Sequence, residues 1–333
     1  MCNPPRKLAL YSPIFAVLAA ALSITALSSD AEAAEQVPFA QLVPAKWYEP
    51  EVSNGVREIA GKTDSLGAAE LVEQLENLSV QGDNSADEFL GELFLFGALG
   101  LERNEERGCD YFERVYRDRP DAAHNLATCF FNGGGRAEDL PRARELYLLA
   151  LRGGWRQAPC ALGNMLIRGQ GGPVDVEQGM ALCRLAAGRG DPDAATDLGG
   201  YLLTGEFGPR DPVAARLMLS EAAAKGQINA AHLLGQIYAK GDGVAADPEL
   251  AENWFRKAHE GGRPDSARQL LNSLLRRGYR QTEEGVVIAP ELLGRALEWA
   301  HITVQVDPSA EERARAENLI PELEALIQSA QEH

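Results

Sequence analysis

The cysteines are the residues best able to form covalent links within this chain. Of five cysteines, Cys2 lies in a leader-like start, which leaves an even number after it. An even number in an exported chain favours disulfides. We predict the pairs Cys109–Cys129 and Cys160–Cys183, because the members of each pair lie at similar distances from an intervening helix turn. Four buried free thiols are the alternative. No Cys-x-x-Cys motif occurs, which argues against a thiol oxidoreductase.

Metal binding, nucleotide binding and hydrolysis find no support in the other spacings. The five histidines are scattered, and no His-Glu-x-x-His occurs. The Gly-Asp-Gly turn at Gly241 lacks the lysine of a phosphate-binding loop. Neither Gly-x-Ser-x-Gly nor Ser-x-x-Lys is present, and pairs of carboxylates are as well explained by solvated helix faces. We therefore expect no catalytic residue, no metal and no cofactor.

The first 34 residues have the layout of a secretory signal peptide. Arg6 and Lys7 precede the apolar run 8–27, and Ala31-Glu32-Ala33 supplies a small-x-small cleavage pattern. An uncleaved anchor is the alternative. No second apolar run of spanning length follows, so we expect a periplasmic or secreted protein with no membrane insertion after cleavage.

The net charge of the chain argues against binding to nucleic acids and to anionic membranes. The 333 residues carry 49 acids and 32 bases, a formal net charge of −17. Nucleic-acid binders carry a basic footprint, and anionic membranes attract basic segments, so neither partner is expected. Hydrophobic residues make up 45%, which is ample for a buried core.

A period of 36 residues organises most of the chain. It carries a leucine column formed by Leu90, Leu126, Leu162, Leu198, Leu234 and Leu270. Columns of alanine and glycine accompany it in register. Small residues at fixed helical positions let helices approach closely, and units that cannot bury an apolar face alone stack on each other.

Each unit is predicted to contain two helices. Helix A is expected to open at Ser85, Asp121, Gln157, Asp193, Asn229 and Asp265. Helix B is expected to open at Asp139, Asp175, Asp211 and Asp247. Glycines should end helix A. Residues 66–78 are predicted as a capping helix, and about six extra residues fall within 278–289. A terminal helix at 309–331 is expected to be interrupted at Pro321.

At these residues the chain resembles the Sel1-like repeat family. The fifth unit carries the family pattern almost fully, at Ala230, Leu234-Gly235, Tyr238, Gly241 to Val244, Asp247, Ala251, Trp254, Ala258 and Gly262. The resemblance implies an all-α, right-handed α/α solenoid with helical caps. We accordingly assign residues 1–34 to the signal peptide, 35–84 to an acidic segment with a capping helix, 85–305 to repeats and 306–333 to a C-terminal cap.

The outward stripe of helix A is the candidate binding face, since the resemblance implies that helix A lines the concave side. Its charge runs from acidic at Glu88 and Glu92 to basic at Arg276. The predicted partner-binding residues are His124, Thr128, Asn164, Arg168, Thr196, His232, Gln236, Arg268 and Asn272. A solvated face without a ligand is the alternative.

The resemblance implies a non-enzymatic adaptor or regulator, and a polar stripe suits a protein or peptide partner. We expect the chain itself to be a monomer. Two alternatives remain open within the family: a scaffold for envelope polysaccharide secretion and a β-lactam-related hydrolase. The first would favour exposed aromatic residues, and the second lacks a recognisable nucleophile here.

Overall fold

The computed structural model describes residues 42–63, 65–282 and 285–331. They fall into two compact units, an N-terminal unit that ends at Arg189 and a C-terminal unit that begins at Gly190. The predicted signal peptide, residues 1–34, lies outside the described residues. The predicted fold class, an all-α right-handed α/α solenoid of helix pairs, is confirmed.

The N-terminal unit contains eight helices among its described residues, and α3 to α8 form three helix pairs. Their bounds are α1 (Asn54–Ala60), α2 (Ala68–Val80), α3 (Asn84–Phe96), α4 (Glu105–Val115), α5 (Pro120–Asn132), α6 (Leu140–Arg152), α7 (Ala158–Arg168) and α8 (Val176–Gly188).

The C-terminal unit contains seven helices and one hairpin among its described residues. Their bounds are α9 (Pro192–Thr204), α10 (Pro212–Ala224), α11 (Ile228–Lys240), α12 (Pro248–Glu260), α13 (Asp265–Gly278), β1 (Tyr279–Thr282), β2 (Gly285–Ile288), α14 (Pro290–Val306) and α15 (Ala310–Gln331). Helices α9 to α14 form three pairs, and α15 packs on α14.

Capping side chains explain where the helices begin. Asp139, Asp175, Asp211 and Asp247 each accept a hydrogen bond from the backbone N–H three residues on, which confirms the predicted starts of helix B. Helix A begins one or two residues earlier than predicted in most repeats. Asp83 and Asp191 are the caps there, so the predicted openings fall in the first helical turn.

Small residues let helix B approach helix A. An added Cβ on Gly235 would lie 2.6 Å from the ring of Phe255, and one on Gly163 would lie 2.6 Å from the carbonyl oxygen of Gly179. Real side chains do not tolerate such distances. The glycine column therefore sets the spacing of the pairs, while the leucine column beside it is buried.

Two features differ from the sequence-based expectation. The extra residues after α13 form an antiparallel hairpin, in which Tyr279 pairs with Ile288 and Thr282 with Gly285. The terminal helix α15 runs through Pro321 without interruption, so that part of the prediction is wrong. Proline keeps a helical φ and removes one backbone donor, and the packing of α15 on α14 tolerates that loss.

Residues 43–53 precede α1 and lie against the N-terminal unit; we call them the strap. Residues 47–53 contain neither helix nor turn. Val43 is buried in the core of this unit, and Trp47 packs against the same core. The strap is therefore part of the folded structure rather than a free leader.

Candidate functional site

The predicted stripe of helix A is not uniformly open to solvent. In each repeat its first position is buried or half-buried, and its last position is exposed. The exposed last positions are Phe96, Asn132 and Arg168 in the N-terminal unit and Thr204, Lys240 and Arg276 in the C-terminal unit. The accessible part of the stripe therefore lies at the C-terminal end of each helix A.

His232 and Thr196 are buried, which corrects their prediction as outward-facing residues. His232 is 2% exposed, and its ring meets the ring of Phe255 edge to face at 5.6 Å. The hydroxyl of Thr196 donates to the carbonyl oxygen of Pro192 at 2.7 Å within α9. In α11 the first stripe position faces neighbouring helices, since His232 contacts Phe255 of α12 and Ser266 of α13.

A hydrogen-bond chain holds His232 in place. Its Nδ1 lies 2.7 Å from the hydroxyl of Ser266 in the next helix A, and the amide nitrogen of Gln236 lies 3.0 Å from its Nε2. An amide nitrogen donates, so Nε2 accepts and Nδ1 carries the proton of a neutral ring. Burial, helped by the positive charge of Arg263, lowers the pKa of His232 to about 4.

His124 and Thr128 belong to an aromatic cluster in the N-terminal unit. The His124 ring lies 5.1 Å from Tyr147 and 6.4 Å from Trp155. Thr128 shares a hydrogen bond of 3.0 Å with the hydroxyl of Tyr147. Burial lowers the pKa of His124 to about 4. His124 is thus a neutral packing residue, and Thr128 is half-buried beside it.

The other predicted stripe residues keep some exposure. Asn164, Gln236 and Arg268 are half-buried, whereas Arg168 and Asn272 are exposed. The structure thus leaves this set partly accessible.

Arg268 and Asn272, both on α13, line a cavity of about 320 Å³ in the C-terminal unit, together with Glu312 and Arg315 of α15. Arg268 pairs with Asp307 at 3.2 Å and with Glu312 at 3.3 Å. Its charge is therefore largely satisfied within the chain, and Asn272 is the more accessible of the two.

The acidic front of the stripe is built around one arginine that sequence reasoning missed. Arg119 lies 2.7 Å from Asp121 and 3.4 Å from Glu88. Burial and the neighbouring Glu92 raise the pKa of Glu88 well above its usual range, and burial also raises the pKa of Glu92. Three carboxyl groups thus face one guanidinium, and the glutamate pair retains a proton to higher pH than an exposed carboxyl would.

Both predicted cysteine pairs lie at bonding distance in the N-terminal unit. Cys109 is joined to Cys129 with a Cα–Cα distance of 6.3 Å, and Cys160 to Cys183 with 4.2 Å. The first disulfide links α4 to α5, and the second links α7 to α8. Cys160 occupies a first stripe position and is buried, consistent with the inward orientation of that position.

Two further features of the described residues bear on metal binding and on membrane insertion. Within residues 42–63, 65–282 and 285–331, no group of three or more His, Cys, Asp or Glu side chains could hold a metal ion. In that same part of the chain, every helix is too short or too polar to cross a membrane.

The sequence matches five copies of a known repeat. The profile of the Sel1 repeat matches residues 85–116, 120–155, 158–191, 192–227 and 228–262. No curated protein matches the chain.

Solved structures share the architecture. A Sel1 repeat protein from Oxalobacter formigenes is 21% identical, with a TM-score of 0.59 over 78% of this chain and 100% of that one. An immunity protein, Pa5087, from Pseudomonas aeruginosa is 20% identical, with a TM-score of 0.45 over 67% of this chain and 86% of that one. The first likeness shows a shared fold.

Proposed function

The chain belongs to the Sel1 repeat family, and we propose that it is an exported, non-enzymatic adaptor or regulator that binds another protein through the helix A faces of its repeats. Repeats of this kind present extended surfaces built from equivalent positions of successive units. Membership of the family supports the general role, and solvent exposure supports the choice of positions that contact the partner.

The observation that carries the proposal is the exposed last position of every helix A. Five of these six side chains are polar or charged, and each unit presents three at the same register. Together with the half-buried Asn164 in the N-terminal unit, and with Gln236 and Asn272 in the C-terminal unit, they give each unit a surface that we assign to the partner. His232 and Thr196 support this surface from beneath and do not touch the partner.

The disulfides support the exported location. Disulfides persist in oxidising compartments and are rare in the reducing cytosol. Both pairs have the geometry for a bond, and each closes a short loop between consecutive helices. We therefore propose that the protein acts in the periplasm or outside the cell.

Affinity capture with charge-matched variants tests the surface. The exported chain is immobilised and exposed to an envelope extract, in parallel with Arg168→Ala/Lys240→Ala. The control, Arg184→Ala/Lys257→Ala, removes the same two charges from exposed positions on helices B. We expect a protein that the wild type and the control retain and the first variant loses.

Binding through a few anchors makes this loss large, since such residues dominate most interfaces. A protein retained equally by all three baits would place the contact elsewhere on the chain. A protein lost from the control alone would assign binding to helices B and contradict the proposal.

A further inference from the structure

We call the place where one repeat or cap ends and the next repeat begins a junction. The strap contacts each junction of the N-terminal unit in turn. Four hydrogen bonds mark its course, each between a backbone atom of the strap and one junction. The Ser53 amide donates to the Ser85 hydroxyl at 3.0 Å, the Arg119 guanidinium to the Glu51 carbonyl at 3.0 Å, the Tyr48 amide to the Gly154 carbonyl at 2.8 Å, and the Arg189 guanidinium to the Pro44 carbonyl at 2.8 Å.

The spacing of these contacts matches that of the repeats. On the body, the contacted residues follow one another at intervals of 34 or 35, one per repeat. On the strap, the contacting residues are two to four positions apart, which is about 7 to 13 Å of extended chain. Neighbouring helices pack about 8 to 10 Å apart. An open chain therefore meets one junction for each repeat that it passes.

The recognition is of the kind used for extended peptides, in which backbone bonds hold the segment and side chains give selectivity. Two aromatic residues of the strap make side-chain contacts with the repeats. The Arg189 guanidinium lies 4.7 Å from the centre of the Trp47 ring, and the Tyr48 ring lies 6.5 Å from that of Trp155. Pro44 lies on the N-terminal side of this pair and Pro50 on its C-terminal side, and proline limits the entropy lost on binding.

The C-terminal unit builds equivalent junctions, and at two of them no described residue covers the junction glycine. An added Cβ on Gly154 would lie 3.2 Å from the Tyr48 nitrogen and 3.3 Å from the Lys46 oxygen. At the equivalent Gly226 and Gly262, an added Cβ meets no described atom within 4 Å. The repeats thus stack with or without a strap, so stacking alone does not explain its presence.

The arginine at the second junction, Arg119, has a counterpart in Arg263, directly after the fifth repeat. Arg119 pairs with Asp121, as Arg263 pairs with Asp265. The Arg119 side chain is 6% exposed beneath the strap, while the Arg263 side chain is 27% exposed. The same side-chain pair therefore exists in a covered and an uncovered form.

We propose that the junctions at Ser85, Arg119, Gly154 and Arg189 form a binding site for an extended polypeptide segment, with the strap as its ligand within the same chain. A partner segment with an aromatic pair flanked by prolines replaces the strap there. This inference rests on the proposed function, because it assumes a protein partner.

Two glycine variants test whether the strap is held at the site. Gly154 and Gly226 have nearly the same left-handed backbone, with φ of 84° and 89°, so alanine carries the same backbone strain at both. Only Gly154→Ala also brings its Cβ to 3.2 Å from the Tyr48 nitrogen and 3.3 Å from the Lys46 oxygen, so the strap must shift by a few tenths of an ångström. Hydrogen exchange of residues 43–53 in the full chain is expected to accelerate at least ten-fold in Gly154→Ala and to stay within two-fold of wild type in Gly226→Ala. Equal acceleration in both would contradict the assignment.

A labelled synthetic peptide with the sequence of residues 42–54 tests the site as a receptor. It is titrated onto the full wild-type chain and onto Trp47→Ala/Tyr48→Ala, whose own strap binds weakly. Since a bound competitor reduces apparent affinity, we expect at least ten-fold tighter binding to the variant. Adding Gly154→Ala to that variant should weaken binding, because the peptide meets the same tight Cβ contact as the strap. A peptide with both aromatics replaced by alanine is the specificity control.

Equal affinity for both chains, or binding to neither, would overturn the inference and leave the strap as a fixed part of the fold. A variant that becomes dimeric by exchanging straps would assign the site to a second copy and overturn the partner. The peptide experiment needs no partner, whereas the capture experiment depends on helix A positions outside this site. Failure of one is therefore distinguishable from failure of the other.

Discussion

His232 makes the stability of the C-terminal unit depend on pH. Its folded pKa is about 4, while an unperturbed histidine titrates near 6.5. Between pH 4 and pH 6.5, this histidine is protonated in the unfolded chain and neutral in the folded chain. Protonation then favours unfolding. The contribution of neutral His232 to the free energy of unfolding is therefore fully present above pH 6.5 and is lost as the pH falls toward 4.

The two pKa values set the size of the effect. Each unit of difference corresponds to about 1.4 kcal/mol, and at pH 5 the accumulated loss for one such histidine is about 2 kcal/mol. The residue is 2% exposed, so solvent screening does not reduce this figure appreciably. His124 gives the N-terminal unit a loss of stability of the same sign, because its pKa is also about 4.

Urea unfolding at about pH 7.5 and pH 5 measures the loss, and a His232→Gln variant isolates it. Glutamine keeps a hydrogen-bonding side chain but does not titrate. We expect the variant to lose about 2 kcal/mol less than wild type between the two pH values, whatever its stability at neutral pH. The control is His301→Gln at an exposed histidine, which should behave as wild type. An equal loss in wild type and His232→Gln would refute the buried, neutral assignment.

Two further perturbations test the packing. Replacing Cys109 and Cys129 by alanine should lower the free energy of unfolding by about 3 kcal/mol, the loop-closure value for about 20 residues, and the second disulfide should behave alike. Adding reductant to wild type should reproduce the loss, and an unchanged urea midpoint would mean that the bonds do not constrain the unfolded chain. Gly235→Ala should lower the free energy of unfolding by about 1 to 3 kcal/mol, because the added methyl group clashes with Phe255. Gly294→Ala has open space inside a helix and should raise the free energy of unfolding by up to about 1 kcal/mol. Equal thermal shifts in the two glycine variants would contradict the role given to the glycine column.

The repeat pattern predicted the fold because each column has a local cause. Aspartates cap helix B, glycines end helix A and small residues permit close approach, and all three act within one repeat. The predicted cysteine pairs follow from the same register, since the two members of each pair lie on consecutive helices.

The direction of the stripe could not be predicted from one helix alone. A helical wheel separates the apolar side from the polar side, but it does not say where the next repeat packs. His232 is polar and lies opposite the leucine column, yet it is buried because Ser266 of the next repeat offers it a partner. Its burial is decided by a contact 34 residues away along the chain.

The strap and the acidic cluster were missed for a similar reason. Residues 43–53 have no periodicity, and their only sequence signal is an aromatic pair with prolines in an otherwise acidic segment. Arg119 lies outside the stripe and acts on Glu88 only because α3 and α5 are neighbours in the stack. Contacts between repeats, rather than within them, are what the period leaves undetermined.

The course of the strap also orders events during synthesis. The partner of Ser53 lies 32 residues later in the chain, and the partner of Glu51 lies 68 residues later. Arg189, the partner of Pro44, lies 145 residues later. Contacts within a helix pair span far fewer residues and form sooner, because closing a short loop loses less entropy. Among the described residues of the N-terminal unit, the strap is thus the first part to emerge and the last to be fully docked. Until Arg189 has been made, the growing protein carries its early repeats with these junctions open.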